Sequence, residues 1–324
     1  MTTKAGTLPP ASEQGDATYS DAAFYHVTVT ADDEQVVVGS GVALSETSAD
    51  GQQTIELAIG PARDFYLAIS PRYEVVSRTV GETTINSYAP AEFMAGAEDA
   101  AAFATDALRL FNERFEPYPY TELDIVATST LALGIEYPGI IAITLHEYDP
   151  DDPVNPNVPN QIYMETTTAH EVAHQWFYNM VGNDQLDEPW LDEAVTQYAT
   201  YLYYLDMYGE QAANEYKGSW NGRFSRVDNE PIPIGLPVSA YQGAEYSAII
   251  YGRGSCSWKR SPGRWSKPLL TPSSRITSAN TNGASSAPKP SANWRKRTVS
   301  AIWKICLKNG YISDQIAILD IANL

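Results

Sequence analysis

The chain has 324 residues, 44% hydrophobic and 19% charged, an ordinary globular composition with room for one or two cores. A formal net charge of −19 repels nucleic acid and anionic membranes, so neither is an expected partner. No stretch approaches the roughly 20 apolar residues that span a bilayer, so no transmembrane segment is expected.

Residues 1–10 lack the apolar core of a signal peptide, so either the protein is not exported or the sequence starts downstream of the true beginning. The compartment stays open. From residue 23 to 88, short β-rich runs alternate with turn signals. Ala23–Thr30, Gln35–Val38, Thr54–Ala58 and Phe65–Ile69 read as strands, with turns at Ala31-Asp32-Asp33 and Asp50-Gly51. This predicts a partial antiparallel β-sandwich over residues 1–90. Between Ala95 and Phe115, Phe103, Ala107, Leu110, Phe111 and Phe115 recur at helical spacing, and Pro117 and Pro119 stop the helix. Strands are expected at Glu122–Ala127 and Gly139–Leu145, a proline-rich loop at Asp149–Asn160, and helices at about 161–180 and 192–208.

The last segment, 256–324, differs in kind. Of the 40 acidic residues only 2 lie beyond residue 245, against 12 of the 21 basic ones, and Tyr246 to Ser313 contains no Asp or Glu. Pro262, Pro268, Pro272, Pro288 and Pro290 interrupt any helix there. A disordered linker, a basic binding tail and a reading-frame shift near Ser255 are the three readings. Both cysteines, Cys256 and Cys306, fall in this tail and are too few for a structural zinc site.

His170-Glu171-Val172-Ala173-His174 is an H-E-x-x-H sequence. On a helix, residues four apart stack one turn above each other, so both imidazoles face the same side, as two zinc ligands must. Glu171 projects about 100° round the helix, where a carboxylate can take a proton from water at the metal's open position. Tyr163, Thr167, Val172, Trp176 and Met180 supply an apolar side for that helix. Zinc needs a third protein ligand. Glu193 follows His174 after 18 residues, and the expectation is that Asp192 caps the second helix while Glu193 faces the metal from its first turn. A solvated helix-start acid is the alternative for Glu193.

With these residues in view, the chain resembles the aminopeptidase N family of gluzincin metallopeptidases, whose members share H-E-x-x-H, 18 residues, then Glu. His174-Gln175-Trp176-Phe177 is similar to the family's H-Q-W-F, Trp190–Glu193 to its W-L-N-E, and Phe115–Tyr120 to its F-G-P-Y-P-Y. The likeness covers about residues 20–255. It implies an α+β fold in which the partial β-sandwich precedes a thermolysin-like catalytic domain over 91–255, with one Zn²⁺ per chain. The family's β domain is much longer than the stretch before residue 90, and a helical domain that normally follows is missing here or replaced by the tail. The chain is therefore expected to be a fragment.

Two more positions carry over by resemblance. Leu133–Tyr137 aligns with the family's G-x-M-E-N, so Glu136 would bind the α-amino group of a peptide with a free N-terminus. Leu133, Ile135 and Tyr137-Pro138 depart from that pattern, and a structural Glu136 is the alternative. Tyr251-Gly252-Arg253-Gly254-Ser255 resembles the family's Y-x-K-G-A, which makes Tyr251 the donor to the oxyanion, with Tyr246 as the second candidate. The activity so implied is aminopeptidase. An endopeptidase or related zinc hydrolase, and a non-catalytic scaffold, are the other readings.

Overall fold

The computed structural model describes residues 14–15, 19–228 and 230–255. The tail expected to be disordered, basic or frame-shifted lies outside the described residues. Strands β1 (Ala23–Asp32), β3 (Val42–Ala49) and β4 (Gln52–Ala62) form an antiparallel sheet in the order β1-β4-β3. Central β4 buries Ile55, Leu57 and Ile59 on one face, the period of two that a half-buried strand requires. Between β3 and β4, Asp50 and Gly51 take φ of 55° and 77°, the paired positive values of a tight two-residue hairpin. Strands β2 (Val36–Gly39) and β5 (Leu67–Ser70) pair separately as an antiparallel ribbon.

The second sheet carries the site. Strands β6 (Tyr73–Val80), β7 (Thr83–Pro90), β8 (Glu122–Thr128), β9 (Gly134–Ile135) and β10 (Ile140–Thr144) run in the order β6-β7-β8-β10-β9. β7, β8 and β10 are parallel, and β6 and β9 are antiparallel edges. Residues 73–90, expected with the N-terminal strands, lie in this second sheet, where β7 hydrogen-bonds to β8 across the boundary expected at residue 90. The reason is apolar alternation: Ile85 and Ala89 of β7 face helix α1 (Met94–Arg114), not the first sheet.

Two layers cover this sheet. On one face, Leu123, Ile125, Ala127, Ile141 and Ile143 pack against the Ala97–Phe111 side of α1 and against Val172. On the other, Val126, Ile140 and Ala142 meet Val38 and Ala68 of the β2–β5 ribbon. Every residue of β10 is accordingly buried, as in a parallel strand enclosed on both sides.

A short helix α2 (Leu145–Tyr148) follows, then α3 (Asn160–His174), which widens into a π-helical turn over Gln175–Met180. A second π turn, Trp190–Ala194, leads into α4 (Val195–Tyr208). These match the expected helices near 161–180 and 192–208. Helix α5 (Glu210–Phe224) and a π-helical segment, Ser247–Gly254, were not anticipated. Among the described residues, no helix is long and apolar enough to cross a membrane.

Candidate metal centre

α3 and α4 pack side by side. His170 and His174 leave α3 one turn apart, with ring centroids 4.7 Å apart and planes at 88°. Their Nε2 atoms stand 3.1 Å from each other. Glu193, in the π turn before α4, brings Oε2 to 3.2 Å from His170 Nε2 and 3.5 Å from His174 Nε2. Tetrahedral zinc with bonds of about 2.0–2.2 Å sets its ligand atoms roughly 3.3–3.6 Å apart. The three donor atoms therefore already span the edge of such a site, and two imidazoles with one carboxylate suit zinc chemically.

Electrostatics at the cluster are lopsided. Four buried carboxyl groups, Glu136, Glu171, Asp192 and Glu193, surround the two rings. Burial alone would raise the Glu193 carboxyl, but its contacts with His170 and His174 carry it well below the usual carboxylate range. Glu171 has no such contact, and burial pushes it up to about 8 against the pull of His174. Burial would lower His174, yet Glu136 and Asp192 raise it well above its ordinary value, while burial keeps His170 low.

The remaining expected residues converge on the same place. Glu136 follows the edge strand β9, and a carboxylate oxygen of it lies within 4.8 Å of ligand atoms of His174 and Asp192. Glu171 packs on the bare Cα of Gly134 in β9, where an added Cβ would fall 2.5 Å from its Cγ and 2.6 Å from its Cδ. The Tyr251 hydroxyl donates to Glu193 Oε1, and its ring lies 6.3 Å from that of His170. Tyr246 instead packs edge-on against Tyr251 at 5.8 Å and against Tyr241 at 5.9 Å. The structure thus gathers His170, Glu171, His174, Glu193, Glu136 and Tyr251 round one point.

Asp192 behaves differently from the helix cap expected of it. No side chain caps this helix start, and Asp192 Oδ1 lies 2.8 Å from His174 Nδ1 instead. The π turn, which places Asp192 and Glu193 side by side against α3, has no signal in the sequence; such wide turns concentrate at functional sites. Two other supports have no signal in the sequence. Gln175 accepts from Gly139 N at 3.0 Å and donates to Tyr137 O at 3.1 Å, tying the end of α3 to the loop after Glu136. Trp176 Nε1 donates to Glu116 O at 2.7 Å, which anchors the Phe115–Tyr120 run.

Two helices offering a His pair and a carboxylate beside the edge strand of a mixed sheet form a site with the donor set of a zinc centre. The model of the peptidase family M1 domain matches residues 100–255, and the chain is similar to that family there. Among its relatives, aminopeptidase M1-D of Oryza sativa subsp. japonica is 27% identical over 253 residues, covering 72% of this chain and 28% of the relative. Aminopeptidase 2 of Candida albicans is 25% identical over 252 residues, covering 71% of this chain and 26% of the relative. Aminopeptidase M1 of Arabidopsis thaliana reaches 34% over 99 residues, 29% of this chain and 11% of the relative. The chain thus spans little more than a quarter of the first of these relatives. The solved structure of the M1 zinc metallopeptidase from Deinococcus radiodurans shares the fold, with a TM-score of 0.62 over 90% of this chain and 62% of that one, at 18% identity.

Proposed function

We propose that the chain is a zinc-dependent metallopeptidase that removes residues from the free N-terminus of peptides. One Zn²⁺ per chain would be held by His170 Nε2, His174 Nε2 and Glu193. The observation that carries this reading is the 3.1, 3.2 and 3.5 Å triangle of donor atoms, buried beside the carboxyl groups of Glu136, Glu171 and Asp192. The catalytic unit would comprise the five-stranded sheet with α1 to α5 and the segment to residue 255.

When bound, the ion supplies a Lewis-acid centre that lowers the pKa of water and polarises the scissile carbonyl. Glu171 Oε1 or Oε2 takes the proton of the attacking water and passes it to the leaving nitrogen. Burial pushes this carboxyl up to about 8 with no cation beside it, and a bound cation would draw it down toward the anionic form that a base needs. The Tyr251 hydroxyl, beside Glu193, donates to the carbonyl oxygen as negative charge grows on it, a contribution typically of a few kcal/mol. Glu136, at the end of β9, binds the α-ammonium group and sets the register, so cleavage follows the first residue. Burial of Glu136 among the other acids keeps water from screening that contact.

Metal analysis and matched substrates test this together. The purified chain should take up one equivalent of Zn²⁺ and cleave peptides with a free N-terminus while refusing the same peptides acetylated. Equal cleavage of both would replace the exopeptidase reading by an endopeptidase, and absence of zinc uptake would remove the enzyme reading altogether.

A further inference from the structure

Two hydroxyls stand behind the imidazoles without being needed as ligands. Thr196 and Thr200 lie one turn apart on α4 and are both 0% exposed. Valine would fill the same space without a buried polar atom, so the hydroxyls need a reason. Each gives its proton to the carbonyl one turn back: Thr196 Oγ1 donates to Asp192 O at 2.6 Å, and Thr200 Oγ1 to Thr196 O at 2.9 Å. Only lone pairs remain on each oxygen, and each faces an imidazole. Thr196 Oγ1 is 3.2 Å from His174 Nδ1, and Thr200 Oγ1 is 3.4 Å from His170 Nδ1.

An oxygen whose proton is committed elsewhere can only accept, so the nitrogen facing it must be the protonated one. The two Nε2 atoms, 3.1 Å apart and turned toward Glu193, then keep their lone pairs for a cation. We infer that Thr196 and Thr200 are positioning residues that hold both rings as the Nδ1–H tautomer, presenting Nε2 to the metal. The inference rests on the proposed role of His170 and His174 as ligands. The two rings are held unequally. His174 Nδ1 also has Asp192 Oδ1 at 2.8 Å, whereas the support of His170 Nδ1 is Thr200. Loss of the Thr200 hydroxyl therefore weighs more than loss of Thr196.

The test compares Thr200→Val, Thr196→Val and Thr200→Ser in the full chain. Zn²⁺ affinity is measured by competition with a chromophoric chelator, and the imidazole ¹⁵N shifts are read in the metal-free protein at a pH where the rings are neutral. Thr200→Val should weaken Zn²⁺ binding about 10- to 100-fold, the usual effect of losing a partner of a ligating His. It should also erase the Nδ1–H signature of His170. Thr196→Val should do less, because the Asp192 carboxylate still stands 2.8 Å from His174 Nδ1. Thr200→Ser keeps an oxygen in place and should restore both readouts. Unchanged ¹⁵N shifts and affinity in Thr200→Val, or equal behaviour of its valine and serine forms, would overturn the inference. A wild-type chain that binds no Zn²⁺ would instead remove the ligand reading, and an Nε2–H signature at His170 in that chain would overturn the tautomer assignment separately.

Discussion

A single methyl group on β9 tests how tightly the Glu171 carboxylate is seated. In Gly134→Ala the new Cβ falls 2.5 Å from Glu171 Cγ and 2.6 Å from Cδ, and closer still to Oε1. Ordinary contact needs roughly 1 Å more, and Glu171 is only 5% exposed, so the side chain cannot swing into solvent without leaving the cluster. Overpacking of this kind costs about 1–3 kcal/mol, or roughly 2–10 °C in Tm for a protein of this size. Displacing the proton-transferring group by about 1 Å should lower kcat on the order of 100-fold. KM should change little, because no group that binds the peptide has moved. Kinetics on a peptide with a free N-terminus, zinc content and thermal melts are all needed, in wild-type and Glu171→Ala backgrounds. With Glu171 truncated, the methyl group has room and its melting penalty should vanish, a coupling that identifies the clash partner. Equal losses of Tm in the two backgrounds, or wild-type kcat in Gly134→Ala, would refute the packing argument.

Glu171→Gln keeps the shape and should retain one equivalent of zinc while losing nearly all turnover; full activity would remove Glu171 as the base. Glu147, on α2, is buried, accepts from Thr167 Oγ1 at 2.7 Å, and is pushed up to about 8 from 4.5 by burial. The folded state therefore holds a proton that the unfolded state has released, so stability should fall as pH rises from about 5 to 8. Glu147→Gln should flatten that fall by up to roughly 1.4 kcal/mol per pH unit, read from urea unfolding across the window. An identical slope in the variant would show that Glu147 ionises in the fold as it does in water. Arg63 is buried between the rings of Tyr19 and Tyr178 and donates to Asn183 O at 2.5 Å and Gln185 Oε1 at 3.2 Å. Arg63→Ala strands those acceptors and should cost ~2–4 kcal/mol in urea unfolding, whereas a neutral outcome would make the arginine dispensable to the fold.

How far the sequence could be read depended on the range of the interaction. Asp50-Gly51 and the alternation of β4 are local signals, and each matches what the chain does there. The His170/His174 spacing is likewise local, because the helix alone sets it. β6 and β7 carried the same β signal as their neighbours, but nothing within residues 73–90 tells that β7 pairs with β8, more than 30 residues away across α1. α5 went unseen for a different reason. Gly218 and Gly222 lower its helix propensity, and only Ala213 and Trp220 are buried, so it carries almost no apolar stripe.

The site shows the same division within one turn of chain. Asp192 and Glu193 are adjacent acids that sequence alone treats as a cap and a ligand, and only the wide turn at Trp190–Ala194 reveals that both are drawn to α3. Their surroundings then separate acids of identical chemistry. Glu193 touches both imidazoles, so the ion contacts outweigh burial and hold it as an anion. Glu171 lies against the glycine of β9 with no cationic contact at its carboxylate, so burial prevails and its proton affinity rises to about 8. A pair of carboxyl groups driven apart in this way at one centre can divide the labour, one staying charged while the other carries a proton. That separation arises from where β9 and the π turn bring the chain: Glu193 Oε2 stands 3.2 and 3.5 Å from the two Nε2 atoms, while Glu171 is seated against Gly134.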